Sequence, residues 1–192
     1  MMKQAKFLSL TAACVLSLTS VMGGLQVSAA QQSAPVSSDV KIMALGDSIT
    51  DGYWTGGGYR KYLYHELEEM GYSNIDMVGP KGSSSESFQY QGQTVAYDGN
   101  YAGYSGYAIE KIGSRQGLYE TIFDTTYYNN NVTGNMIEAY DPDIVLLQIG
   151  TNDLLDNQNA GITDRLEKLV DKLLDSIDSN SMLFVASVPD ID

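Results

Sequence analysis

Short apolar runs alternate with longer amphipathic stretches along most of this chain. The apolar runs predict β-strands, and they cover residues 42–45, 75–79, 144–149 and 182–188. The amphipathic stretches carry apolar residues at three- and four-residue steps, and they predict helices over residues 58–70 and 162–177. This alternation of strands and helices favours a parallel sheet with helices on both faces, joined by right-handed crossovers.

The remaining segments have weaker patterns. Residues 80–102 are rich in Gly, Ser, Gln, Asn and Tyr, which predicts a long surface loop. Gly106 and Tyr107 are expected to open a brief helix that runs to residue 112, and residues 118–123 also have a helical pattern. A sheet of this type normally continues past its last apolar run into another helix and strand. We therefore expect the sequence to be an amino-terminal fragment of a longer protein.

Residues 1–30 have the pattern of a secretory signal peptide. A basic start precedes an apolar stretch over residues 7–18, and small residues follow as a cleavage site. A membrane anchor would need about 20 largely uninterrupted apolar residues, and small and polar residues interrupt the stretch after residue 18. A lipoprotein signal at Cys14 is a further alternative, but the residues before it match that signal poorly. We expect secretion to the extracellular space.

Charge and cysteine content narrow the partners of the mature chain, which would consist of a flexible lead-in over residues 31–39 and one domain over 40–192. Removing residues 1–30 removes two lysines and no acids, so the net charge changes from −13 to −15. This acidity disfavours nucleic acid and anionic membranes, and it is compatible with neutral polysaccharides or small esters. The single cysteine leaves with the signal, and no cluster has metal-ligand spacing, so we expect no cofactor and no metal.

Two polar turns carry the candidate chemistry, and each follows a predicted strand. Residues 46–48 (Gly-Asp-Ser) follow the first strand, and residues 150–153 (Gly-Thr-Asn-Asp) follow the third. Either turn alone could be a plain connection in which a polar side chain caps the next helix. Their joint occurrence at strand carboxyl ends, where α/β folds place ligand sites, favours a catalytic site.

Ser48 is the candidate nucleophile of this site. A serine hydroxyl needs a base to remove its proton and preorganised donors to stabilise the oxyanion that forms. The backbone N–H of Ser48, the N–H of Gly106 at the expected helix start and the side-chain amide of Asn152 could supply those donors. If the first and third strands are neighbours, their carboxyl ends bring Ser48 and Asn152 together.

These motifs resemble the sequence blocks of the SGNH (GDSL-type) hydrolases. Gly-Asp-Ser-Ile-Thr at 46–50 resembles block one, Gly106 resembles block two, and Gly-Thr-Asn-Asp at 150–153 resembles block three. More narrowly, Gly-Gly-Tyr-Arg at 57–60 and Gly-Tyr-Ser-Gly-Tyr at 103–107 resemble the secreted carbohydrate esterases of family 3, which remove acetyl groups from xylan. The match runs over nearly the whole mature chain.

The resemblance implies a fold and a set of roles. The fold would be a three-layer α/β/α, flavodoxin-like parallel sheet, here without its carboxyl-terminal helix and edge strand. Ser48 would be the nucleophile, and Gly106 and Asn152 would complete an oxyanion hole with the N–H of Ser48. Gly106 is preferred to Gly103 because it directly precedes the expected helix.

The family's fourth block, an Asp-x-x-His that supplies the base, is missing from this chain. The chain has one histidine, His65, which the pattern places in the middle of a helix as a surface or half-buried residue. Asp190 and Asp192 are interpreted as loop residues, and Asp47 and Asp153 as loop braces. A chain without its base should be weakly active or inactive, so a histidine beyond residue 192 is expected to act as the base.

The sequence thus predicts a secreted serine esterase that removes acetyl groups from a xylan-like plant polysaccharide. The alternatives are a non-catalytic carbohydrate-binding or scaffold module with the same fold, and a lipase or thioesterase of the same superfamily. Several tyrosines could form a platform on which sugar rings stack: Tyr90, Tyr97, Tyr101, Tyr104, Tyr107, Tyr127 and Tyr128.

Overall fold

A computed structural model of the chain describes residues 39–123, 135–156 and 160–188. The predicted signal peptide, nearly all of the lead-in, two of the seven tyrosines (Tyr127 and Tyr128), and both Asp190 and Asp192 lie outside these residues. Within the described ranges, none of the helices combines the length and the apolar character that a membrane crossing requires.

The structure contains a parallel sheet and a separate hairpin. Its strands are β1 Val40–Gly46, β2 Ile75–Met77, β3 Glu86–Tyr90, β4 Gln93–Tyr97, β5 Ala102–Gly103, β6 Ile144–Gln148 and β7 Met182–Val185. Its helices are α1 Ser48–Asp51, α2 Gly58–Glu69, α3 Leu118–Phe123, α4 Met136–Tyr140, α5 Thr151–Leu155 and α6 Ile162–Ser176. The four predicted strands, the two long helices and the short helix over 118–123 are confirmed.

Strand β1 is the centre of the sheet. The strand order is β2-β1-β6-β7, and all pairings in this sheet are parallel. Strand β5 pairs in parallel with the carboxyl end of β1, through Leu45 and Gly46. The predicted neighbourhood of the first and third apolar runs is confirmed, because β1 pairs with β6 along five residues. Strand β7 is the edge of the described sheet, and the further helix and strand expected beyond it stay a prediction.

Helices cover both faces of the sheet, as the alternating pattern predicts. Side chains of a strand point to opposite faces in turn. On one face of β1, Ile42 and Ala44 form a cluster with Met77, and residues of α2 pack against it. On the other face, Met43 and Leu45 join a larger cluster that includes Leu169 and Leu173 of α6. The α/β fold with a mainly parallel sheet is therefore confirmed.

The predicted surface loop over 80–102 is wrong, since β3 and β4 form an antiparallel hairpin there. Gln91 and Gly92 connect the strands with φ angles of 49° and 80°, as a two-residue type I′ hairpin turn requires. Phe88 and Tyr97 are buried on the inner face of the hairpin. The alternation of such apolar residues with polar ones is the pattern of a half-buried strand. The polar composition of the segment as a whole made this pattern hard to recognise in the sequence.

The predicted helix from Gly106 to residue 112 is also wrong. This segment consists of turns and isolated bridges, including one between Ala108 and Gly117. Residues beyond the segment bind the groups that a helix would pair with each other: Ile112 N–H donates to Arg115 O at 3.2 Å, and Ala108 O accepts from Leu118 N–H at 2.9 Å. Tertiary partners therefore override the local helical pattern.

Candidate active site

The candidate nucleophile Ser48 is the first residue of α1, immediately after the central strand. Gly46 lets β1 pass close to β6 here, because a Cβ at this position would lie only 2.0 Å from Gln148 O. Asp47 is buried and caps α1, with its Oδ1 accepting from Ile49 N–H at 3.0 Å. Ser48 itself is half-buried.

Burial raises the pKa of the Asp47 carboxyl above its ordinary value, although the N–H of Ile49 and contacts with Thr151 oppose this effect. Thr151 belongs to the second polar turn. In addition, the backbone N–H of Asp47 donates to Gln148 O, at the end of β6, at 3.3 Å. Asp47 therefore connects the two turns rather than facing solvent, in agreement with its expected bracing role.

The second polar turn opens α5 and places Asn152 in a buried position. Asn152 Nδ2 donates to Tyr107 O at 2.8 Å, and Asn152 Oδ1 accepts from Arg115 Nη1 at 2.9 Å. The next residue, Asp153, is fully buried, and it accepts from Arg165 Nη2 at 2.8 Å and from Ile109 N–H. Asp153 thus braces the loop, as the sequence suggested.

Gly106 lies in a turn, so the expectation that it stands at the start of a helix is wrong. Tyr107 N–H donates to Tyr104 O at 3.2 Å and closes a four-residue turn. Gly106 is the third residue of this turn, with a φ of 84°, which is the sign that a type II turn requires. Its role as an oxyanion donor stays a prediction.

Three loops meet at the carboxyl ends of β1, β5 and β6, and each carries one predicted site residue. Pairing of β1 with β6 reaches Gly46 and Gln148, just before Ser48 and Asn152 in the chain. Tyr104 N–H donates to Gly46 O at 2.9 Å, which ties the Gly106 turn to the end of β1. The fold therefore brings the loops of Ser48, Gly106 and Asn152 to one edge of the sheet.

A buried polar network next to Ser48 was missed by sequence reasoning. The carboxylate of Asp51 accepts from Lys81 Nζ at 3.0 Å, from Tyr101 OH at 2.6 Å and from Ser105 Oγ at 2.6 Å. Burial alone would raise the pKa of Asp51, but the hydrogen bonds from Ser105, Tyr101 and Lys81 lower it below its ordinary value. Asp51 is therefore held as a carboxylate between α1 and the Gly106 turn.

Arg60 is the second member of this region that the sequence did not single out as functional. Its side chain is only 2% exposed, although it belongs to the first turn of α2. The guanidinium donates to Thr50 O at 2.8 Å, to Asp51 O at 3.2 Å and to Gly99 O at 2.8 Å. It also lies 3.6 Å from the ring centroid of Tyr101, which is the geometry of a cation–π contact.

His65 does not belong to the convergent loops. It is half-buried in α2, seven residues after the helix begins, which is roughly 10 Å along the axis. Its ring packs against Tyr90 of the hairpin at a centroid distance of 4.7 Å. The interpretation of His65 as a half-buried helical residue is confirmed.

The proposed tyrosine platform is wrong for its buried members. Tyr97, Tyr104 and Tyr107 are each at least 92% buried, so they cannot offer a ring face to a sugar. Two other aromatic side chains are exposed instead, in the 3-10 turn that follows α1. Tyr53 is 73% exposed and Trp54 is 93% exposed, with their ring centroids 5.2 Å apart.

A serine opens a helix after the central strand of a parallel sheet, and a fixed asparagine amide follows the neighbouring strand. This arrangement is typical of hydrolases that act by acyl transfer. A sequence profile of the GDSL-like lipase/acylhydrolase family matches residues 42–191. The chain belongs to this family, which places the domain among the carboxylic ester hydrolases of the SGNH type.

Relatives with known names agree with this class. A multidomain esterase of Ruminococcus flavefaciens is 46% identical over 157 residues, which cover 79% of this chain and 19% of that protein. A family 3 carbohydrate esterase of Clostridium thermocellum is 31% identical in a structural match with a TM-score of 0.52, covering 77% of this chain and 61% of that one. The chain thus spans about a fifth of the curated relative and about three fifths of this structural neighbour.

A family 3 carbohydrate esterase from Talaromyces cellulolyticus shares the fold, with a TM-score of 0.50 and 21% sequence identity. That match covers 76% of this chain and 60% of the Talaromyces chain. The relatives together identify an SGNH esterase domain that is related to carbohydrate esterases.

Proposed function

We propose that this domain belongs to a secreted serine esterase that removes acetyl groups from a plant polysaccharide such as xylan. The observation that carries the proposal is the meeting of the Ser48 and Asn152 loops at the paired ends of β1 and β6. Ser48 is the nucleophile. The backbone N–H groups of Ser48 and Gly106 and the Nδ2 of Asn152 are the donors for the oxyanion.

The reaction proceeds in two acyl-transfer steps. Ser48 Oγ attacks the acetyl carbonyl carbon, and its proton passes through a base to the sugar oxygen, which leaves as the alcohol when the ester C–O bond breaks. Water then attacks the acetyl-serine, the same base moves a proton from water to Ser48 Oγ, and acetate leaves. The three donors stabilise the negative oxygen in both steps. We propose that a histidine beyond residue 192 supplies the base.

A carbohydrate substrate is supported by the exposed aromatic pair near the nucleophile. Trp54 follows Ser48 by six residues, and its side chain is 93% exposed. The ring of Trp54 contacts that of Tyr53, so the two form one exposed apolar patch, and such patches mark interaction sites on soluble proteins. A flat ring also offers an apolar face for a sugar. The relatedness to carbohydrate esterases supports the same substrate class, and the amino-terminal signal pattern supports secretion.

The Ser48→Ala substitution in the full-length protein tests the proposal. We expect hydrolysis of 4-nitrophenyl acetate to fall by at least about a thousandfold, because the nucleophile is lost. Ser84→Ala is the matched control, since Ser84 is exposed in the loop before β3, and it should retain full activity. Turnover retained by Ser48→Ala would refute the assignment. Longer acyl esters hydrolysed faster than the acetate would favour a lipase or thioesterase.

One observation favours a second function, that of a carbohydrate-binding module without turnover. The single histidine of this sequence, His65, packs against the β3–β4 hairpin and not at the loops that carry Ser48. It is therefore not placed to act as the base for Ser48. A fluorophosphonate probe distinguishes the two functions, because it labels an activated serine. Labelling of the full-length protein at Ser48 supports the esterase, whereas glycan binding with an unlabelled Ser48 supports the binding module.

A further inference from the structure

One guanidinium contacts both residues that are predicted to complete the oxyanion hole. Arg115 Nη1 donates to Gly106 O at 3.1 Å and to Asn152 Oδ1 at 2.9 Å. The other side of the same guanidinium faces Asp156, to which Nε and Nη2 donate at 2.5 and 2.8 Å. Arg115 is partly buried, with 27% of its side chain exposed.

These contacts fix which way the Asn152 amide points. A guanidinium can only donate hydrogen bonds and a carbonyl oxygen can only accept them. The atom of Asn152 that faces Arg115 must therefore be the oxygen, and the atom that faces Tyr107 O must be the nitrogen. The hydrogen bond to Tyr107 uses one N–H of Nδ2, and the second N–H of Nδ2 is the donor that the proposed function assigns to the oxyanion.

The same contact fixes the turn that presents Gly106. Arg115 holds the carbonyl of Gly106, whose left-handed φ of 84° sets the direction of the neighbouring peptide groups. Asp156 directly follows α5, the helix that carries Asn152. The Arg115–Asp156 pair thus joins the Gly106 turn to the Asn152 helix.

We propose that Arg115, anchored by Asp156, is the positioning residue of the oxyanion hole: it orients the Asn152 amide and the Gly106 turn together. This inference rests on the proposed esterase function. Arg115 acts through Asn152 and Gly106, and it does not contact the ester. Its loss therefore impairs stabilisation of the transition state more than substrate binding, so kcat falls while KM changes little.

A double-mutant cycle in the full-length protein, with 4-nitrophenyl acetate as substrate, tests this role. We expect Arg115→Ala to lower kcat by about 10- to 100-fold, somewhat less than the effect of deleting a complete oxyanion donor. KM should stay within about twofold. Adding Arg115→Ala to Asn152→Ala should lower kcat by a smaller factor than Arg115→Ala does alone, because the part of its effect that acts through Asn152 is already lost and only the part through Gly106 remains.

Chemical rescue separates positioning from a general structural role. Ethylguanidinium in the assay should restore part of the kcat of Arg115→Ala, whereas Arg115→Lys should stay impaired because an ammonium cannot bridge Gly106, Asn152 and Asp156 at once. Asp156→Asn keeps the arginine but weakens its anchor, so it should lower kcat by less than Arg115→Ala does. Lys168→Ala removes a cation from α6 and is the control that should retain kcat.

The outcomes distinguish the inference from the function beneath it. An inactive Ser48→Ala enzyme together with an unchanged kcat for Arg115→Ala would overturn the inference alone. Independent, multiplicative losses in the Arg115→Ala/Asn152→Ala enzyme would overturn it as well. Full activity of Ser48→Ala would overturn the proposed function, and the inference with it. If Arg115→Ala does not fold, Asp156→Asn and Arg115→Lys give the same comparison.

Discussion

The carboxylate of Asp51 accepts a hydrogen bond from Ser105 Oγ at 2.6 Å, and this contact joins the helix of the nucleophile to the turn that contains Gly106. Lys81 and Tyr101 bind the other oxygen of the same carboxylate. Through a second set of contacts, Arg115 joins Gly106 to Asn152. The loops that carry the three predicted site residues are therefore braced by two sets of side-chain contacts before any substrate binds.

Removing the charge of Asp51 should make stability less dependent on pH in acid. The pKa of Asp51 is lowered in the folded protein, so its ionised form contributes stability above the ordinary aspartate pKa of about 3.9, and this contribution is lost as pH falls through the lowered value. We expect the urea midpoint of Asp51→Asn to lie below that of the parent at neutral pH, and the gap to shrink below about pH 4.

Glu66→Gln is the control for this pH series, since Glu66 is exposed on α2. It should give a urea midpoint close to that of the parent at neutral pH. A gap between Asp51→Asn and the parent that stays constant into acid would contradict the role assigned to the Asp51 carboxylate.

Replacing Arg60 should destabilise the fold strongly. Arg60→Met leaves three carbonyl oxygens, those of Thr50, Asp51 and Gly99, without their buried donor. An unsatisfied buried polar group costs about 1–3 kcal/mol, so we expect the free energy of unfolding to fall by about 3 kcal/mol or more. Urea unfolding measures the change.

The neighbouring Lys61→Met is a matched control for Arg60→Met. Lys61 also donates to a carbonyl, Thr55 O at 2.7 Å, but this contact is exposed. Its loss should cost less than about 1 kcal/mol, because water can replace the donor. Equal stability of the two variants would show that the buried contacts of Arg60 do not hold the α1–α2 connection.

Trp54→Ala should impair polysaccharide use selectively. If Trp54 stacks on a sugar ring, its loss raises KM for acetylated xylan oligosaccharides by about five- to tenfold, which corresponds to about 1–1.4 kcal/mol. Hydrolysis of 4-nitrophenyl acetate should be unchanged, since that ester carries no sugar. Tyr72→Ala, at an exposed tyrosine beyond the end of α2, should change neither substrate. An identical effect on both esters would contradict a sugar-binding role for Trp54.

The elements that could be predicted from sequence are those in which the order of apolar and polar residues matches which side chains are buried and which are exposed. Strands β1 and β6 are apolar because they lie inside the sheet, and α6 is amphipathic because Leu169 and Leu173 face the core. The β3–β4 hairpin was missed because few of its residues are buried. The helix expected after Gly106 does not form, because residues beyond the segment, such as Leu118, bind the backbone groups that the helix would pair.

The positions of Ser48 and Asn152 followed from two strand ends, which is local information once the strands are known to pair. The roles of Arg60 and Arg115 could not be predicted in this way. Their acceptors are backbone carbonyls and side chains between 9 and 41 residues away. Because every residue has a backbone carbonyl, the sequence does not indicate which carbonyl an arginine binds. Only the folded chain shows that these two arginines brace the site.

A crystal structure of the full-length protein after reaction with a fluorophosphonate tests the central claim most directly. The account predicts that Ser48 Oγ displaces fluoride and carries a phosphonyl group, with the P=O oxygen within hydrogen-bonding distance, about 2.7–3.2 Å, of Ser48 N, Gly106 N and Asn152 Nδ2. An adduct whose oxygen faces solvent, away from Asn152, or a protein that reacts elsewhere and leaves Ser48 free, would contradict it.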